Sequence, residues 1–81
     1  MMGKYLSYAT TLNDDEIEEV KKSVLIYLRD HEYITNRLLR DLSGVTYDQA
    51  IYFFKQMMHQ GILKREGITT NIRYIMNGQN D

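Results

Sequence analysis

The 81-residue chain contains no cysteine, which removes disulfides, thiolate zinc sites and thiol nucleophiles together. No apolar run approaches the ~20 residues needed to cross a bilayer, and the opening MMGKYLSYATT lacks the apolar stretch of a secretory signal. A cytoplasmic protein with no membrane partner is the expectation. Histidine is scarce: His31 and His59 fall at the ends of different helical patterns, an arrangement unsuited to a metal cluster. His31, near a helix C-terminus, reads as a partner of the helix dipole. The five glycines stand apart at 3, 44, 61, 67 and 78, so no glycine-rich loop exists to cradle a phosphate. The acidic run DDEIEE lacks the spaced ligands and central glycine of a calcium loop. Ser7, Ser23 and Ser43 have no neighbouring histidine. The chain is therefore expected to be no enzyme and to need no metal or cofactor.

What remains is ordinary globular material, 43 % apolar and 26 % charged, enough for one small domain. A domain this short buries only about 60 % of its unfolded surface, so dimerisation would help it. Net charge is −1, but it is unevenly spread. Residues 1–32 carry four cations against seven carboxylates, and residues 33–81 carry six against four. A nucleic-acid footprint belongs in the second part, with modest and salt-sensitive affinity.

The pattern divides into an arm (1–12), a domain (13–76) and a polar tail (77–81, NGQND) expected to fray. Asn13 caps a helix with Asp14, Asp15 and Glu16 in its first turn. Ile17, Val20, Val24, Leu25 and Leu28 follow at three-and-four spacing, and Glu18–Lys22 is an i,i+4 pair. Tyr33 and Ile34 form a stub of strand. Thr35 or Asn36 opens a short helix bearing Leu38, Leu39 and Leu42, which ends at Ser43–Gly44. Thr46 caps a helix from Tyr47 to about Gln60, with Ala50, Phe54 and Met57 inward and Gly61 as its terminator. Ile62–Arg65 and Ile72–Met76 pair as a hairpin around a Gly67–Asn71 tip.

Residues 34–76, ITNRLLRDLSGVTYDQAIYFFKQMMHQGILKREGITTNIRYIM, thus run stub strand, short helix, SG turn, capped helix, glycine and hairpin. This order resembles the winged helix-turn-helix family, with helix 14–32 as the supporting helix. The resemblance implies a mainly α fold with a small β-hairpin, three helices plus wing. It also implies a non-catalytic DNA-binding protein, a small transcriptional regulator or a replication or mobile-element accessory factor. Duplex DNA is the expected partner, ahead of single strands.

In such a fold the N-terminal part of the second helix of the turn motif reaches base edges. Tyr47, Gln49, Tyr52 and Gln56 are then the candidate readers. Arg37, Arg40, Lys55, Lys64, Arg65 and Arg73 are the candidate phosphate anchors. Recognition helices of duplex-binding members usually carry Arg or Lys where this chain has Tyr47, Ile51 and Tyr52. One helix cannot bury all of Tyr52, Phe53, Phe54, Met57 and Met58, so part of that set is expected at the surface. There it would stack unpaired bases or meet a protein. The competing function is accordingly a protein-interaction module, adaptor or inhibitor, or a single-stranded-DNA binder. An interface to a second copy of the chain, as a homodimer, or to a protein partner is expected through Tyr5, Tyr8, Ile51, Phe53 and Met58.

Overall fold

Each helix begins where a short polar side chain takes over an orphan amide, as helix starts require. Asn13 accepts from the Glu16 amide while Glu16 accepts from the Asn13 amide, both at 2.8 Å. Thr35 accepts from the Leu38 amide at 3.1 Å. Thr46 and Gln49 exchange a reciprocal pair at 3.1 and 2.9 Å. These caps start α1 (Asp14–Asp30), α2 (Asn36–Ser43) and α3 (Tyr47–His59). Glycines in the left-handed region stop two of them: Gly44 at φ 80 ends α2, and Gly61 at φ 77 follows α3.

The computed structural model describes residues 9–78. Within them the chain is mainly helical with one small antiparallel hairpin, β1 (Leu63–Glu66) and β2 (Arg73–Met76). Leu63 pairs with Met76 and Glu66 with Arg73. Ile34, the expected stub, bridges the other edge of β2, exchanging backbone bonds with Tyr74 at 2.9 and 2.8 Å. Gly67, at φ 87, turns the tip, where a Cβ would collide with the Asn71 carbonyl. No helix among these residues is long and apolar enough to cross a membrane.

The core joins Ile17, Val20 and Val24 of α1 to Leu39 of α2 and to Ala50, Phe53, Phe54 and Met57 of α3. Ile34 and Val45 from the connecting segments and Leu63 of β1 close it. Several local expectations change. Glu18 of α1 pairs with Lys21, three residues on, at 3.3 Å. Leu42 of α2 faces solvent at 42 % exposure, because Leu39 alone of the α2 leucines is fully enclosed. Leu12 is buried, so the domain starts within the expected arm. Asn77 does not fray: its amide donates to the Ile62 carbonyl at 3.0 Å, and its side chain to the Gly61 carbonyl at 3.1 Å.

Candidate functional site

The hairpin folds beside the outer face of α3 and encloses, with the Tyr33–Arg37 segment, a groove of about 760 Å³. Its floor is Tyr47, Ile51, Lys55 and Met58, whose steps of four, four and three keep them on one stripe of α3. Arg65, Tyr74 and the Gly67–Arg73 tip form one wall, and Tyr33, Asn36 and Arg37 the other.

Charge here departs from the molecular average. Arg37, Lys55, Arg65 and Arg73 line the groove, and among the described residues no carboxylate does. Of these cations only Arg73 forms a salt bridge among the described residues, Nε to Glu66 Oε1 at 3.3 Å. Both partners are nearly half exposed, so the pair contributes little to stability and leaves Arg73 recruitable. A second concavity, about 460 Å³ between the end of α1 and the hairpin, is mixed in sign, with Glu32 and Glu66 beside His31 and Arg73.

Two arginines lie over tyrosine rings at this site. The Arg73 guanidinium is 5.2 Å from the Tyr33 centroid, and that of Arg40 is 5.6 Å from Tyr47. Arg40 is held by its Nε, which donates to Asn36 Oδ1 at 2.7 Å. Asn36 in turn donates to the Tyr47 carbonyl at 3.2 Å. One amide thereby fixes the start of α2 against the start of α3. Burial pushes the Tyr74 phenol above its ordinary pKa; the Arg65 charge pulls it down and is outweighed, and Tyr47 adds slightly to the rise.

Of the residues expected to contact a ligand, the groove gathers Arg37, Tyr47, Lys55, Arg65 and Arg73. Arg40 joins them through the Tyr47 ring. Lys64 alternates to the other face of its strand and does not line the groove. Tyr52 packs against the core, and Gln56 lies off the lining.

Two assignments are corrected. Gln49 is 1 % exposed: its Oε1 closes the α3 cap on the Thr46 amide, and its Nε2 donates to the Thr11 carbonyl at 3.5 Å, so it offers no base-reading amide. Phe53 is fully buried, its ring edge-on to Phe54 with centroids 5.6 Å apart, so it is core and not interface. Ile51 and Met58, expected at a protein interface, lie in the groove. Tyr5 and Tyr8 lie outside the described residues.

Tyr33 and Tyr74 are the aromatic lining residues that sequence reasoning missed, along with the polar Asn36, Thr69, Thr70 and Asn71. Tyr33 precedes the bridging Ile34, and Tyr74 is the residue it bridges, so only the pairing brings them to one groove. His31 caps α1 as expected of a dipole partner, its Nδ1 2.9 Å from the Tyr27 carbonyl and its ring stacked on Tyr27 at 3.9 Å. Among the described residues no group of three or more metal-ligating side chains occurs. Comparison with protein-family models, with curated proteins and with solved structures finds no match to this chain.

Proposed function

We propose that the chain is a winged helix-turn-helix domain that binds DNA without catalysis, with α3 as the helix facing the nucleic acid and the hairpin as the wing. It would serve as a small regulator or as an accessory factor in replication or element maintenance. The observation that carries this reading is the sign of the groove: among the described residues its lining holds four cations and no carboxylate, in a chain whose net charge is −1. Phosphate contact dominates nucleic-acid affinity and requires such a concentration of positive charge on one face. Hydrogen-bonding side chains of Asn36, Thr69, Thr70 and Asn71 stand beside the cations and suit the polar part of a sugar–phosphate backbone. The mixed-sign second concavity lacks this character.

The test is fluorescence anisotropy of a labelled DNA oligonucleotide at low salt. Lys55→Glu with Arg65→Glu should abolish binding, while Lys22→Glu on α1 should reduce it far less. The reading fails if wild type binds no DNA at low salt, or if the groove variant binds as wild type does.

A further inference from the structure

Resting on the DNA-binding reading of the groove, we propose that its preferred ligand is an unpaired DNA strand, held by ring stacking and phosphate pairing without readout of base sequence. The shape of the site is the first reason. A helix reads duplex DNA by protruding into a major groove about 12 Å wide. Here the α3 stripe Tyr47–Ile51–Lys55–Met58 is the floor of a concavity, walled by the hairpin tip and the Tyr33 segment. A volume of about 760 Å³ suits a few extruded nucleotides, being within the roughly 300–1,000 Å³ of sites that enclose small organic groups.

The second reason is what the lining lacks. Bidentate amides read adenine edges, yet Gln49 is sealed into the cap and Gln56 is off the groove. Asn36 already spends its amide on Arg40 and on the Tyr47 carbonyl. Lys55 is the sole charge on the floor, a point donor with no planar fork. Asn71 at the tip is left as the one side-chain amide of the lining with no hydrogen bond among the described residues. With Arg37, Arg65 and Arg73 engaged on phosphates, the floor has too few donors to specify a sequence.

The third reason is what the lining offers in exchange. Tyr33 and Tyr47 are 41 % and 57 % exposed, each with a guanidinium above its ring. Tyrosine rings and flat guanidinium groups are the surfaces on which unpaired bases stack, whatever the base. Ile51 and Met58 add an apolar floor that a paired base, edge-on inside a duplex, cannot reach. Ile51 and Met58 would favour the thymine methyl, which uracil lacks, a preference for one substituent and not a reading of base order. Arg37, Arg65 and Arg73 stand around the rim for the phosphates.

The test titrates the full chain, at about 50 mM salt, against thymidine oligomers of about 12 nucleotides, within the span one small binding fold covers. The same-length duplex and a uridine oligomer are the other two arms. The thymidine strand should bind at least about tenfold more tightly than the duplex. Tyr47→Ala and Tyr33→Ala should each lower strand affinity about tenfold, and Tyr47→Phe, which keeps the ring, should not. A duplex that binds as tightly as the strand, or more tightly, overturns the strand preference and leaves the DNA-binding reading standing. Loss of binding to every nucleic acid overturns both. Tighter binding of the uridine oligomer overturns the assignment to DNA, and unchanged affinity in both Tyr→Ala variants overturns the stacking.

Discussion

The Tyr74 ring lies flat on Phe54, with centroids 3.7 Å apart and planes 5° from parallel. Phe54 belongs to the core face of α3 and Tyr74 to the central position of the pairing that holds Ile34. This contact, with Leu63 of β1 buried in the same core, holds the hairpin against α3 and so bears on the width of the groove. Phe54→Ala is expected to destabilise the domain by about 3–5 kcal/mol, the range for a fully buried phenylalanine. Tyr74→Phe keeps the stack and should cost far less. Urea denaturation of both variants measures the difference.

The groove cations differ in readiness, and salt dependence should expose it. Lys55 and Arg65 have no salt-bridge partner among the described residues, whereas Arg73 is paired with Glu66. Each phosphate contact contributes about 0.7–0.9 to the slope of log affinity against log salt. Lys55→Ala and Arg65→Ala should each flatten the slope by about that amount. Arg73→Ala should flatten it less, because its charge is already partly answered. Slopes equal to that of wild type in all three variants would remove the groove cations from the contact.

Gln49 should matter to stability and not to DNA. Its removal takes away the reciprocal half of the α3 cap and the contact to Thr11. Gln49→Ala is expected to lose about 1–2 kcal/mol in denaturation. The affinity of the folded variant for DNA should be unchanged. A normal melting curve with weakened binding would instead restore Gln49 as a base reader.

Alkaline pH should loosen the hairpin. Burial holds the Tyr74 phenol above its ordinary value of about 10, so the folded state keeps that proton more tightly than the unfolded chain does. The stabilisation is complete below about pH 10 and is lost as pH climbs through the raised folded value. Tyrosinate absorbance should show a phenol ionising above the ordinary range that is absent in Tyr74→Phe. Tyr74→Phe has no such proton to lose, so its alkaline unfolding midpoint should lie higher than that of wild type.

Local chemistry was legible from the residues, and tertiary placement was less so. Asn13, Thr35 and Thr46 signal helix starts, and Gly44 and Gly61 signal stops, because caps and left-handed turns depend on a few neighbouring residues. The Thr46–Gln49 spacing is itself a capping-box signal, and it explains why Gln49 turns inward. Phe53 stands three after Ala50 and four before Met57, so a wider apolar stripe would have included it. The meeting of Tyr33 with the hairpin had no local signal. It depends on Ile34 pairing with Tyr74, a contact between residues on either side of α2, α3 and β1. The grouping of Arg37 with Arg65 depends on the same pairing, and composition shows only that cations are commoner in that part of the chain.

The most direct measurement is an amide-resolved NMR titration of the full chain with a short DNA oligonucleotide at low salt. The groove predicts shifts at Tyr33, Tyr47, Ile51, Lys55, Arg65 and the hairpin tip, with α1 from Glu16 to Tyr27 unmoved. Shifts confined to α1 or to the concavity near Glu32, or none at all at saturating DNA, would contradict it.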